Sequence, residues 1–152
     1  MRKQTSHKTE NGVVLIVGGS EEFVGAPALA GLAALRAGAD LSIIAAPEKT
    51  SWAISSMSPD LITIKCKGSH LTQKNMKQVM DAAEKADVIL LGNGLSKKSL
   101  SFAKSLVKKI KDKQKVVDAD ALKAVSFEDL ENSIITPHMK ELEWLFFNIK
   151  KK

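Results

Sequence analysis

Residues 13–41 read VVLIVGGSEEFVGAPALAGLAALRAGADL, and this stretch passes from a strand through a glycine-containing loop into a helix. The β-branched run Val13–Val17 predicts a buried strand. Gly18-Gly19 and Gly25 then bound a wide loop, and Pro27 stands in the first turn of a helix built mostly from small residues. A buried strand followed by a buried helix is the repeating unit of α/β folds with a parallel sheet.

The alternation of strand and helix continues along the chain. Five more short apolar runs predict strands: Leu41–Ala45, Leu61–Ile64, Val88–Leu91, Val116–Val117 and Ile134–Ile135. Apolar residues at helical spacing predict three amphipathic helices: Met76, Val79, Met80 and Ala83; Leu100, Ala103, Val107 and Ile110; and Leu142, Leu145, Phe146 and Ile149. We expect Thr72 to cap the first of these helices and Pro137 to stand in the first turn of the last. Residues 1–152 are therefore predicted to form a single three-layer α/β domain with a mostly parallel, doubly wound sheet.

Composition narrows the class of protein. The 152 residues are 44% hydrophobic and 26% charged, as in soluble globular domains, and no apolar run approaches the ~20 residues of a membrane span. The net charge of +6 comes from lysines spread along the predicted helices with few aromatic residues between them, which argues against a nucleic-acid surface. The single cysteine, Cys66, cannot form an internal disulfide, so we predict a buried small hydrophobe in a cytoplasmic protein.

Ligands of parallel α/β sheets bind beyond the carboxyl ends of the strands, so the loops that follow the strands are the candidates. These loops read GGSEEFVGAP, APEKTS, GNGLS, DADAL and TPHMKE. The first lacks the spacing of a dinucleotide fingerprint and the Gly-Lys-Ser/Thr of a phosphate-binding loop. Its glycines, Gly18, Gly19 and Gly25, allow the backbone either to approach a ligand or to pack tightly within the protein. Gly92 and Gly94 of GNGLS similarly offer either exposed N–H groups for a ligand oxygen or a tight turn.

Acidic and histidine side chains follow the last two predicted strands. Asp118 and Asp120 could bind Mg²⁺ through water or orient a substrate hydroxyl, and the alternative for either aspartate is a helix N-cap, with the other as a neighbouring surface acid. His138 and Glu141 have the i, i+3 spacing of one helix face, where they could share a proton or hold a ligand, although a lone histidine is also commonly structural. Metal ligation by His138 is disfavoured because no second His or Cys stands at ligand spacing.

Four segments, in chain order, resemble the ADP/ATP-dependent NAD(P)H-hydrate dehydratase family: residues 6–41, GNGL, VVDADAL and TPHMKELEWL. The resemblance implies a ribokinase-like fold, shared with carbohydrate kinases, and the repair of hydrated NADH or NADPH. It also implies Mg²⁺ and ADP or ATP as cofactors, with the substrate hydroxyl phosphorylated and then eliminated to restore the nicotinamide double bond. By position, the family's substrate contacts fall on Ala26, on Gly92 or Gly94, and on His138. The remaining candidates for the pocket are Gly18, Gly19, Gly25, Asn93, Asp118, Asp120 and Glu141.

The sequence departs from the family pattern at three positions and in its extent. Asn93 stands where proline is usual, Phe23 where tyrosine is frequent, and Lys140 where glycine is usual. The family's second half carries a glycine-rich loop with the catalytic Asp and the adenine-nucleotide pocket, and no G-T-G-D run occurs here. We therefore assign no catalytic residue and no metal ligand, and expect the substrate-side half of a dehydratase that is inactive alone. The alternatives are a non-catalytic nucleotide-binding or oligomerising remnant and a small-molecule kinase relative.

The last predicted helix indicates association with another polypeptide. Trp144 and Phe147 fall outside its apolar stripe, so burial of the stripe alone leaves aromatic side chains in water. We expect this helix to pack against a second copy of the chain, giving a homo-oligomer, or against a second chain that supplies the missing half.

Overall fold

The computed structural model describes residues 11–149, without the side chains of residues 147–149. The strands are β1 (Val13–Val17), β2 (Leu41–Pro47), β3 (Ile62–Cys66), β4 (Val88–Leu91), β5 (Gln114–Val117) and β6 (Ser133–Ile135). The α-helices are α1 (Gly25–Arg36), α2 (Glu48–Met57), α3 (Met76–Ala83), α4 (Leu100–Lys109) and α5 (Met139–Ile149). Short 3₁₀ helices lie at Gln73–Asn75, Lys97–Ser99, Ala119–Lys123 and Phe127–Asp129. None of the helices among these residues is long and apolar enough to cross a lipid bilayer.

All neighbouring strands are parallel, in the order β3-β2-β1-β4-β5-β6. The parallel α/β architecture predicted from the alternating sequence pattern is confirmed. The direction of winding reverses between β1 and β4, which are neighbours in the sheet although β2 and β3 separate them along the chain. Ligand sites of open α/β sheets lie at such a reversal, beyond the carboxyl ends of the strands. The loops after β1 and β4 flank this point.

Two apolar clusters hold the helices on the sheet, because strand side chains alternate between its faces. On one face, Leu15 and Ile89 belong to a large cluster with Phe102 of α4. On the other face, Ile16 belongs to a smaller cluster with Ile54 of α2. Full burial of side chains of this size stabilises the fold by about 1.5–3 kcal/mol each before entropy is counted. The strand β1, predicted from its β-branched residues, is therefore buried between the two layers of helices.

The segment APEKTS is not the loop that we expected. β2 continues through Pro47 and α2 begins at once at Glu48. The hydroxyl of Ser51 donates to the carbonyl oxygen of Ala46 at 2.9 Å, and Ile54 is fully buried one turn later. The buried polar residues Thr50 and Ser51 concealed the helical period of α2, and the hydroxyl of Ser51, rather than an apolar side chain, anchors its first turn.

The start and the apolar face of α5 also differ from the prediction. The helix begins at Met139, so Pro137 precedes it instead of standing in its first turn. Leu145 is buried as predicted, whereas Phe146 is exposed and lies against Phe127 with ring centroids 6.0 Å apart. The side chains of Phe147 and Ile149 lie outside the described residues. Elsewhere Thr72 caps the short 3₁₀ helix that leads into α3, close to the predicted position.

Part of the second sheet face stays open. α1 and α2 pack over β1, β2 and β3 on this face, whereas Val88, Val116 and Ile134 of the other strands line a groove of about 430 Å³. Ile134 is 67% exposed, although Ile89 and Val117 on the opposite face are fully buried. β6 is the outermost strand of the described sheet and pairs with β5 only. An apolar groove beside an edge strand is typical of a surface that another polypeptide covers.

Candidate functional site

The loop Gly92–Gly94 joins the loops that follow β1 and β5. The N–H of Gly92 donates to the carbonyl oxygen of Val17 at 3.0 Å, and the carbonyl oxygen of Asn93 accepts from the N–H of Gly19 at 3.0 Å. The N–H of Asp118, directly after β5, donates to the carbonyl oxygen of Leu91 at 3.0 Å, so backbone contacts bring three of the predicted loops together.

Glycine is required at both ends of this central loop. Gly92 has φ +120° and Gly94 has φ +69°, conformations that other residues rarely adopt. A Cβ atom on Gly92 would overlap the carbonyl oxygen of Asp118, and one on Gly94 would lie 2.8 Å from the carbonyl oxygen of Phe23. Neither position has room for a side chain. The two glycines thus allow the neighbouring loops to approach.

Packing within the protein accounts for the glycine pair after β1. Gly18 is buried, and a Cβ atom there would lie 2.7 Å from Oδ1 of Asn93. Gly19 has φ +79°, and a Cβ atom there would lie 3.0 Å from side-chain atoms of both Pro27 and Thr50. Gly25 differs from this pair, because it is exposed and a Cβ atom there would meet nothing within 4 Å. Of the three glycines in the opening loop, only Gly25 faces open space.

The side chain of Asn93 crosses from the central loop to the first turn of α1. Asn93 is 7% exposed, and its Nδ2 donates to the carbonyl oxygen of Ala26 at 3.1 Å. Its Oδ1 is buried and has no hydrogen-bond partner among the described residues. Asn93 therefore fixes the distance between the Ala26 turn and the Gly92–Gly94 loop.

The N-terminus of α1 borders the same group of loops. Val24, in the N-cap position, supplies no side-chain cap, and the first turn contains no acidic residue. The N–H groups of a helix N-terminus and its macrodipole attract anions such as phosphate. Phe23 is 56% exposed beside this turn and packs its backbone against Gly94. This end of the helix suits a ligand that combines an anionic group with an aromatic ring.

The two aspartates after β5 have separate partners. Oδ1 of Asp118 accepts from the hydroxyl of Thr136 at 2.7 Å, which links the loops after β5 and β6. Asp120 forms an ion pair with Lys123, with Oδ1 and Nζ 2.6 Å apart. The 3₁₀ helix starts with Asp118 in the N-cap position, so of the two aspartates it is Asp118, and not Asp120, that stands at a helix cap. Among the described residues no group of three or more His, Cys, Asp or Glu could hold a metal ion.

His138 and Glu141 cap the start of α5. Oε2 of Glu141 accepts from the backbone N–H of His138 at 3.0 Å, and the N–H of Glu141 donates to Nδ1 of His138 at 3.4 Å. An accepting Nδ1 assigns the proton to Nε2, which lies 3.4 Å from Oε1 of Glu141. The predicted contact between the two side chains is present. The imidazole is 64% exposed and lines a cavity of about 300 Å³ with Lys123 and Trp144.

The structure brings most of the predicted site residues together and separates others. Direct contacts join the group formed by Gly18, Gly19, Ala26, Gly92, Asn93, Gly94 and Asp118. Gly25 borders this group as the first residue of α1. Asp120, His138 and Glu141 lie further along the strand ends, at the loops after β5 and β6.

Sequence reasoning missed a cavity beside the reversal of the sheet. This cavity of about 170 Å³ lies between the loops after β1, β3 and β4. Its lining residues are Ser20, Glu21, Glu22, Ser69, His70, Ser96 and Lys98. The position of His70 just after β3 was the signal that could have identified the loop, because every strand of a parallel sheet contributes its carboxyl end.

The family model and the curated relatives that match this chain all belong to one family. A family model described as NAD(P)H-hydrate dehydratase matches residues 14–152. The bifunctional NAD(P)H-hydrate repair enzyme Nnr of Methanothermobacter thermautotrophicus is 42% identical, over 98% of this chain and 30% of that protein. The ADP-dependent (S)-NAD(P)H-hydrate dehydratase of Nitrosopumilus maritimus is 36% identical, over 95% of this chain and 52% of that protein. The chain spans about half, or less, of the length of these relatives.

Solved structures show the same fold. The ADP/ATP-dependent NAD(P)H-hydrate dehydratase of Bacillus subtilis, co-crystallised with ATP and Mg²⁺, superposes with a TM-score of 0.74 at 26% identity. That match covers 100% of this chain and 55% of the Bacillus chain. A ribokinase-like superfamily protein of Enterococcus faecalis superposes with a TM-score of 0.80 at 23% identity, over 95% of this chain and 51% of that one. The ribokinase-like fold expected from the resemblance is confirmed.

Proposed function

Because the chain belongs to the NAD(P)H-hydrate dehydratase family, we propose that it forms the substrate-side half of an ADP- or ATP-dependent dehydratase that restores hydrated NADH or NADPH. The observation that carries the proposal is the joining of the loops after β1 and β4 around Asn93, beside the uncapped N-terminus of α1. A nicotinamide nucleotide has anionic phosphates for such a helix end and a ring for an exposed aromatic such as Phe23. The backbone of Ala26 and Gly94 would line the ligand site between the N-terminus of α1 and Phe23.

The residues of this chain bind and orient the substrate rather than activate it. The phosphoryl donor, when bound with Mg²⁺, converts the substrate hydroxyl into a leaving group, and the described residues offer no cluster that fits this metal. The carboxylate of Asp118 accepts a hydrogen bond from Thr136, and that of Asp120 forms an ion pair with Lys123. We therefore assign the catalytic base and the pocket for the phosphoryl donor to the half of the family fold that this sequence does not match.

The open sheet groove supports the docking of that second half. Val88, Val116 and Ile134 line it, and β6 beside it pairs with β5 alone in the described sheet. The solved relatives carry about as much chain again as the part matched here, since the match covers 51% and 55% of two of them. A helix and a strand of the second half, in the same polypeptide or a separate one, would cover this groove. A second copy of the chain is the alternative occupant, and the α5 contact expected from sequence stays a separate prediction.

Complementation tests the proposal. The chain is incubated with hydrated NADH, Mg²⁺ and ADP or ATP, with and without the second half of the Nitrosopumilus dehydratase, and NADH recovery is followed by absorbance. We expect no turnover by the chain alone and turnover by the pair. Turnover by the chain alone would contradict the assignment of the donor site to the second half.

A non-catalytic nucleotide-binding module is the second candidate. Binding of NADH without turnover in the complemented mixture would support this candidate. For either function we propose a cytoplasmic location, consistent with the free and buried Cys66.

A further inference from the structure

We propose that Asn93 is a positioning residue, whose side-chain amide holds the first turn of α1 in register with the Gly92–Gly94 loop. The inference rests on the proposed function only for the identity of the ligand that the resulting mouth receives. Its geometry rests on contacts within the chain. The expected consequence is that Asn93 sets ligand affinity more than it sets the stability of the fold.

Asn93 connects its own loop to two points of the opening loop, which is distant in sequence. Its Nδ2 donates to the carbonyl oxygen of Ala26, 67 residues away along the chain. Its own carbonyl oxygen accepts from the N–H of Gly19, and its side chain occupies the space beside Gly18. Asn93 thus ties the loop after β4 to the loop after β1 at two points, through its side chain and through its backbone.

The hydrogen bonds of Asn93 argue against a purely stabilising role. The acceptor at Ala26 fixes the orientation of the amide, because the opposite orientation would place Oδ1 against a carbonyl oxygen. In the observed orientation Oδ1 is buried without a partner among the described residues. The side chain thus contributes one hydrogen bond to the fold, and a single such bond adds only modestly to stability. The main effect of the bond is therefore to hold the Ala26 turn at a fixed position relative to the Gly92–Gly94 loop.

This contact is specific to the residue found in this chain. A proline at this position would have no side-chain donor and could not bond to Ala26. Proline restricts its loop through its ring, whereas asparagine restricts it through a cross-link to another segment. In this chain the Gly92–Gly94 loop and the first turn of α1 therefore restrain each other.

Asn75 is a matched control. It is also a buried asparagine, and its Nδ2 donates to the carbonyl oxygen of Lys67 at 3.1 Å. Unlike Asn93, it uses its Oδ1 as well, because that atom accepts from the N–H of Thr72 at 2.9 Å. Both asparagines have the same type of donor bond, yet Asn75 lies before α3 and away from the Ala26 turn.

The test compares Asn93→Ala with Asn75→Ala in the same chain. We expect Asn93→Ala to speed amide exchange at Gly19 about tenfold and to weaken NADH affinity about three- to tenfold, with a small change in the urea midpoint. Asn75→Ala should lower the midpoint more and leave NADH affinity unchanged. Asn93→Asp adds a pH readout, because a protonated carboxyl can donate to Ala26 and an ionised one cannot. Its exchange protection at Gly19 should recover as the pH falls from about 7 to about 5, which Asn93→Ala cannot reproduce.

Unchanged exchange at Gly19 together with unchanged NADH affinity in Asn93→Ala would overturn the proposal. Unfolding of Asn93→Ala would overturn it as well, since that result assigns Asn93 to the stability of the fold. If the unsubstituted chain does not bind NADH, the proposed function is contradicted, and the exchange rates at Gly19 still decide the role of Asn93.

Discussion

The carbonyl oxygen of Asp118 occupies the space in which a side chain at Gly92 would lie. The contact holds the loop after β4 against the loop after β5, and the φ of +120° at Gly92 adds a conformational requirement. We expect Gly92→Ala to lower the free energy of unfolding by about 3 kcal/mol or more, since it combines a backbone clash with a strained φ. Urea denaturation measures this change.

Gly25→Ala is the matched control for that substitution. Residue 25 is exposed, and a Cβ atom there meets nothing within 4 Å. We expect unchanged or higher stability, by up to about 1 kcal/mol, because alanine is the better helix former. Equal effects of the two substitutions would show that packing at Gly92 is not what requires glycine.

Cys66 is free and fully buried at the end of β3, which confirms the small core hydrophobe predicted from sequence. Burial raises the pKa of its thiol to about 11, so the reactive thiolate is scarce at neutral pH. We expect a thiol reagent to label the native chain at pH ~8 at least about a hundredfold more slowly than the urea-unfolded chain. Rapid labelling of the native chain would contradict the buried position.

Asp129 gives the fold a dependence on pH. Partial burial alone would raise the pKa of Asp129, but hydrogen bonds from Ser126 and the charges of Lys108 and Lys104 outweigh it, and the pKa lies below its ordinary value. A carboxyl with a depressed folded pKa contributes stability that is present above the unfolded pKa, ~3.9, and lost as the pH falls through the folded value. Ser126→Ala should therefore cost about 1 kcal/mol at neutral pH and less below pH ~4. A cost that is independent of pH would contradict this account.

Lys115 is a buried cation with a structural role. It is 2% exposed, and its Nζ donates to the carbonyl oxygens of Lys111, Lys113 and Glu131, while burial lowers its pKa. Lys115→Met would leave these carbonyls without their donor, and we expect a loss of about 1–3 kcal/mol in unfolding free energy. Lys77→Met, at an exposed position of α3, should change it by less than about 0.5 kcal/mol. Similar effects at both positions would refute the role of the buried hydrogen bonds.

Sequence patterns predicted the sheet well because its strands are apolar, β-branched runs with a regular period. They failed at α2, whose buried first turn is seated by the Ser51 hydroxyl instead of an apolar stripe. They could not distinguish Gly18 from Gly25, because the difference arises from Asn93, which lies far away along the chain. The contact between Asp118 and Thr136 was hidden for the same reason. Secondary structure can be predicted from neighbouring residues, whereas the shape of the site depends on contacts between loops that are distant in sequence.

The position of bound NADH tests the central claim most directly. In the isotope-labelled chain, a titration with NADH followed by amide and imidazole resonances should shift Gly18–Ala26, Gly92–Gly94 and His138. The account predicts saturable shifts at these residues and none in the groove around Val116 and Ile134. Shifts confined to that groove, or no shifts at millimolar NADH, would contradict the assignment of the nicotinamide-nucleotide site to this chain.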